Sequence, residues 1–461
     1  MLIRTMTTGM AMILSCLLLA QSANLAAIAK KDGKYGMIDP KGNWVIAAIF
    51  DGIQEFDESG KALAKKGELW GLINKKGEWV LEPKYNRLRE FEDGYAMAEI
   101  DGHWVVIDEK GGVVFDNSEY KRIDWLHSGI LIGYAKKEMV YIDMRTGNKL
   151  NTPATKKLFP FSEGLARFNN GQWGYIDISG AFKIQAQFDD AEDFKDGKAK
   201  VKKAGLWGMI DKNGNWLIPA EFDDINSFKN GNAIARKGDK YGIIDENGKW
   251  ILEPNYEKLT LFESGLALAT KDAKQGYVKE DGSWMDLPSG VIKAYPFSDG
   301  YAMIKKESGV GYMNTSGEEV VKAQYTKAHD WYGPFGRVLK VDQWCFVDAG
   351  GKEHPISNGQ KLYAFHSDLA CFKADDKYGY VDKNGSVVIK AIYDNVEDEF
   401  LHNVTSGMGI GLLKKSSYEE PNRDRCGFII VRVGDKFGTI DKTGKVIIPI
   451  ELEDLKVFYP F

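Results

Sequence analysis

Every 34 residues or so, the same short pattern returns. An aromatic residue, Gly, two apolar residues and Asp or Asn appear as Tyr35-Gly36-Met37-Ile38-Asp39, Trp70-Gly71-Leu72-Ile73-Asn74 and Trp173-Gly174-Tyr175-Ile176-Asp177. They return as Trp207-Gly208-Met209-Ile210-Asp211, Tyr241-Gly242-Ile243-Ile244-Asp245, Tyr378-Gly379-Tyr380-Val381-Asp382 and Phe437-Gly438-Thr439-Ile440-Asp441. Degenerate copies at Trp104-Val105, Met139-Val140, Gln275-Gly276, Val310-Gly311 and Trp344-Cys345 fill the gaps. The second position falls at 36, 71, 105, 140, 174, 208, 242, 276, 311, 345, 379 and 438. The successive gaps are 35, 34, 35, 34, 34, 34, 34, 35, 34, 34 and 59. A unit this short cannot bury enough surface alone, so the period implies a tandem array stabilised by stacking of neighbours.

Within a unit, each position has a physical reading. The Asp closing the first strand can hydrogen-bond the turn backbone, and Gly three residues later, as at Gly42, Gly180 and Gly214, supplies positive φ. The Gly after the aromatic residue marks a place where backbone or a ring packs closely on the strand. Small pairs such as Ala62/Ala64, Ala96/Ala98, Ala233/Ala235 and Ala267/Ala269 sit where a neighbouring layer must approach. The Phe before the third strand (Phe56, Phe91, Phe161, Phe194, Phe228, Phe262, Phe297) is expected to plug the core between units. Strands of about five residues between Gly-, Asn- and Asp-rich turns, with no sustained helical period, give an all-β chain of three-stranded units.

These residues resemble the WG repeat, also called the KWG repeat, of bacterial proteins, over nearly everything from Lys34 onward. The resemblance implies a β-rich tandem array, often in exported or cell-surface proteins, and carries no catalytic residues with it. Units three, four, eight, nine and ten depart from it, with Val105, Val140 and Cys345 in the Gly position. The expected organisation is a signal peptide at 1–29, repeats one to eleven at 30–395, an insertion and connecting strand at 396–436, and a terminal repeat at 437–461. About twelve units exceed the four to eight blades of most propellers. An open β superhelix is therefore expected ahead of one or two propeller-like rings.

The first residues read as an export signal. Thr5 to Ala29 carry no charge, Arg4 precedes them, and Ala27-Ile28-Ala29 before Lys30 has the small-x-small form of a cleavage site. Ala20-Gln21-Ser22 is a second candidate. A membrane link is expected only through an uncleaved leader or lipidation at Cys16. Lys and Arg number 61 against 66 Asp and Glu, a balance that argues against nucleic acid as partner.

Chemistry is sparse. Asp211-Lys212-Asn213-Gly214-Asn215 has the look of a calcium loop, but Gly is fourth and Phe222 stands where a ligating Glu belongs, so it reads as a turn. The six histidines show no metal-site spacing; His354 and His366 are the closest pair. No phosphate loop or nucleophile elbow is present. Cys345, Cys371 and Cys426 read as buried apolar residues ahead of a disulfide pair with one thiol left over. Neither catalytic, metal nor cofactor residues are assigned. The expectation is an exported, non-catalytic binding or scaffold protein with a protein or glycan partner, ahead of a carbohydrate-active enzyme or a structural envelope protein. Candidate contact surfaces are the post-turn tryptophans Trp44, Trp79, Trp216, Trp250 and Trp284, and the non-repeating segments 288–295, 327–337 and 404–425.

Overall fold

The structure is a computed structural model that describes residues 25–461 apart from 117–119, 121, 125–127, 135–138, 153–158, 357–358, 367 and 398–427. Residues 1–24 of the expected leader and most of the insertion thus lie outside the described residues. All described secondary structure is β, arranged as twelve small antiparallel sheets, numbered here in chain order. The chain divides into two compact units, residues 1–84 with 325–461, and residues 85–324.

The sixth sheet shows how the sequence becomes a sheet. Asp190–Ala191, Lys198–Lys203, Leu206–Asp211 and Trp216–Phe222 pair in that order. The units are therefore four-stranded, not three-stranded. The missed strand has two residues, too short to show any periodicity, and it follows the preceding sheet's last strand with only Asp189 between. Asp211 builds the Asx turn expected of it: its Oδ1 accepts the N–H groups of Asn213 at 2.8 Å and Asn215 at 2.9 Å.

The Gly after the aromatic residue has a steric cause. In the first, fifth, sixth, seventh, eleventh and twelfth sheets the strand paired to this position bulges as it passes, between its pairings with Trp207 and Met209 in the sixth sheet. A Cβ on Gly208 would lie 2.5 Å from the Ile218 carbonyl oxygen, and on Gly36, Gly242 and Gly379 as close to Ile46, Leu252 and Ile389. The turn Gly has a different role. At Gly214, φ +84°, an added Cβ would lie 3.3 Å from Ile184 of the preceding sheet, and at Gly248 one would press on Ile218 in the same way.

Consecutive sheets share cores, as a stacked array requires. One cluster joins Tyr175, Ile184 and Phe188 of the fifth sheet to Ala191, Phe194, Ala199, Val201 and Ile210 of the sixth. The alanine pairs are all buried, and Phe161, Phe194 and Phe297 are at most 2% exposed.

The open superhelix is overturned at the chain ends. Leu25–Lys31 pairs on one side with Lys34–Ile38 and on the other with Asp454–Leu455 from the C-terminus, in the register Ala29↔Leu455 and Lys30↔Asp454. Tyr459 and Pro460 add a second pairing with Ala26 and Leu25. The final strands thus complete the first sheet, so the two chain ends share one sheet, the strand pairing that closes a β-propeller and that an open superhelix lacks. The expectation failed because a customary blade number is no physical limit. Closure depends on whether the first and last edges can pair.

Candidate functional site

Seams between sheets are where ligand space can arise, because each seam must be plugged by side chains from both sides. In the fifth sheet Tyr175 is fully buried, stacks edge-on against Phe194 at 4.7 Å, and donates its hydroxyl to the Glu192 carbonyl at 2.7 Å. Burial holds its phenol well above the ordinary range, so it stays a donor. Tyr277 of the eighth sheet repeats the device against Phe297 and the Tyr295 carbonyl, at 4.8 and 2.6 Å.

At the next seam the tyrosine is missing. Met209 takes its place in the sixth sheet, facing Phe228 of the seventh, and both are only half-buried. A groove of about 890 Å³ opens there, floored by Met209, Ile225 and Phe228. Its rim alternates in charge. Lys198 lies 3.5 Å from Glu246, and Lys200 lies 2.9 Å from Asp224 and 3.7 Å from Glu192. Burial opposes ionisation of Asp224, but the hydrogen bond and charge of Lys200 outweigh it and hold the carboxyl below its usual value. The Lys200 ammonium also sits 4.5 Å from the Trp207 ring centre. Apolar floor, mixed-charge rim and this volume suit a binding groove.

The residues singled out from the sequence fall elsewhere. Trp216 and Trp250 stand edge-on against Phe188 and Phe222 of the preceding sheets, at 6.0 and 5.3 Å, so this position is a seam bracket with one edge in solvent. Trp79 does the same against Phe50. Segment 327–337 is no loop: it forms the paired strands Lys327–Tyr332 and Phe335–Lys340. Segment 288–295 is clasped to the eighth sheet, where the Gln275 amide bonds both the N–H and carbonyl of Ala294. Segment 404–425 and Cys426 lie outside the described residues. His354 is engaged by Asp348 at 3.2 Å and by the Asn384 carbonyl at 3.3 Å. Cys345 and Cys371 are buried, and burial pushes the Cys345 thiol up to about 11, away from reactivity. Among the described residues no cluster of His, Cys, Asp and Glu could hold a metal ion. No described helix is long and apolar enough to cross a membrane.

The profile of the WG containing repeat family matches residues 35–70, 70–104, 173–207, 207–241, 241–274, 311–344, 378–400 and 437–459. The chain belongs to this family. The ninth unit, read above as a departure, is among the matches, while the third, fourth, eighth and tenth are not. A search of curated proteins finds no relative. Among solved structures, a eukaryotic initiation factor is similar at 11% identity and TM-score 0.24, over 72% of this chain and 95% of that one. The extracellular domain of a putative hybrid two component system from B. thetaiotaomicron follows at 10% and 0.23, over 95% and 71%. Kluyveromyces lactis Hsv2 gives 11% and 0.23, over 56% and 91%. Likenesses this slight have no bearing on function.

The groove itself was missed in the sequence. A signal for it was present, since Met209 stands where Tyr175 and Tyr277 stand in other units.

Proposed function

We propose that this WG-repeat protein is an exported, non-catalytic binding scaffold that takes a protein or glycan ligand at the groove between its sixth and seventh sheets. The observation behind this is the contrast in burial at equivalent positions. Tyr175 and Phe194 are at most 1% exposed, whereas Met209 and Phe228 stay half-buried beside open space. The carbohydrate-active alternative needs a carboxyl pushed upward to serve as general acid. Every carboxyl shift resolved among the described residues runs downward, as for Asp224 and Glu353. The test is binding of peptide and glycan panels by the intact protein and by Phe228→Ala. Ligand capture that the substitution weakens supports the reading; turnover of a bound glycan, or capture indifferent to Phe228, overturns it.

Export carries its own refinement. The first sheet needs Leu25–Lys31, so cleavage before Lys30 would remove a strand whose Ala26, Ala27 and Ala29 are fully buried. Cleavage at the earlier Ala20-Gln21-Ser22 candidate keeps it. N-terminal sequencing of the exported protein is expected to begin before Leu25, and a start at Lys30 would contradict this.

A further inference from the structure

We propose that the groove between the sixth and seventh sheets receives the tyrosine side chain of a partner polypeptide, its ring lying on Met209 and Phe228. This rests on the groove being the ligand site and assigns its ligand class.

The molecule contains its own precedent. The first sheet, like the sixth, has methionine at the seam position, and Met37 stands to Phe56 as Met209 stands to Phe228, nineteen residues apart in both. At the first seam the space is taken by the C-terminal Tyr459-Pro460-Phe461. The Tyr459 hydroxyl accepts the Phe56 N–H at 3.3 Å and lies 3.8 Å from the Met37 sulfur. Phe461 stacks edge-on against Phe56 at 5.2 Å. Under this cover Met37 is fully buried. A methionine seam is therefore completed by a tyrosine arriving on a separate segment, and a tyrosine seam such as Tyr175 with Phe194 completes itself.

At the sixth seam neither has happened. The pairings Ala26↔Tyr459 and Lys195↔Lys198 make Lys195 the counterpart of Tyr459, and Lys195 is exposed. Met209 and Phe228 stay accessible as a result. At the first seam the sulfur meets the tyrosine hydroxyl and Phe56 meets the Phe461 ring edge-on; at the sixth seam the accessible thioether and ring offer an incoming aromatic side chain favourable contacts of the same kind. A space of about 890 Å³ exceeds one ring and leaves room for flanking residues. The rim of Lys195, Lys198, Glu192 and Glu246 carries both signs. That suits a polypeptide with mixed charges beside its tyrosine, and no single-sign polymer.

The probe is a blocked peptide with the sequence of residues 453–461, which carries Glu453, Asp454 and Lys456 beside its tyrosine, compared with the same peptide carrying Leu in place of Tyr459. Binding to the full chain is read by calorimetry. Wild type is expected to prefer the tyrosyl peptide. Met209→Tyr, which plugs the seam from within as Tyr175 does, is expected to fold with an undiminished melting temperature and to lose about tenfold or more in affinity. If Met209→Tyr fails to fold, Lys195→Tyr, which restores the Tyr459 geometry, is expected to lose affinity in the same way. Equal binding of the two peptides, no binding by wild type, or unchanged binding by the plugged variants overturns the tyrosine assignment. A glycan captured in a Phe228-dependent way would overturn it too while leaving the groove as ligand site; no Phe228-dependent ligand of any kind removes both.

Discussion

At the seam between the fifth and sixth sheets, Ile184 meets Gly214 and Asp189 accepts the Gly205 N–H at 2.8 Å. At the seam between the twelfth and first sheets, Ile448 meets Gly42 and Glu453 accepts the Gly33 N–H at 3.2 Å. The first seam is crossed by continuous chain, the second joins opposite chain ends, and the contacts are the same. Asp51 with Gly67, Asp223 with Gly238 and Asp394 with Gly434 repeat the acid-to-hairpin bond elsewhere. The last of these spans the insertion, whose residues 398–427 fall between the paired strands Asn395–Glu397 and Phe428–Val433. The difference lies in chain entropy: the closing seam must bring distant segments together, at a cost that grows only slowly with loop length.

Removing residues 453–461 should show the largest effect. It uncovers Ala27, Ala29 and Ile38 and deletes the buried Leu455 and Phe458. A loss of about 5 kcal/mol or more is expected from the burial of those large side chains, read by chemical denaturation. Hydrogen exchange should rise first in the first sheet. Stability unchanged by this deletion would break the equivalence of the seams.

Ile448→Ala and Ile184→Ala sharpen it. Both side chains are 4% exposed, and each substitution should cost about 2–4 kcal/mol. A much smaller cost at Ile448 would make the closing seam the weaker one. Gly438→Ala and Gly208→Ala come next, because the added Cβ meets a carbonyl oxygen at 2.6 and 2.5 Å. Each should lower stability by about 1–3 kcal/mol through forced strand displacement.

Acid should have the smallest and most diffuse effect. A hydrogen bond from Lys34 and then the Gly67 N–H hold Asp51 below the usual carboxylate range; Lys377 and the Gly434 N–H do the same for Asp394. The ionised form makes these bonds. Their contribution is complete above the ordinary carboxyl pKa of about 4 and fades as pH falls through the lowered values. A melting temperature flat above about pH 5 and falling below about pH 4 is the expected profile.

The sequence carried the repeat, the turn chemistry and the close approach at Gly208, because each is encoded in contiguous residues on a fixed period. Closure was hidden by an ambiguity of composition. Ala27 pairs with Ile38 and Ala29 with Gly36, as Ala62 pairs with Ile73 and Ala64 with Gly71. Ala27 and Ala29 are thus the small pair of the first unit, yet small-x-small before Lys30 is also what a signal peptidase site looks like. The two-residue strands left no pattern to read. The groove was obscured because Met209 and Tyr175 hold corresponding positions in the strands of their own sheets, and only the packing separates the tyrosine that fills its seam from the methionine that does not.

Closure of the array through its termini is tested most directly by placing cysteines at the paired positions 30 and 454. Lys30→Cys with Asp454→Cys is expected to form an intramolecular disulfide under mild oxidation in the folded monomer, identified by peptide mapping. Absence of that cross-link in folded protein, or its appearance only between two chains, would contradict the account.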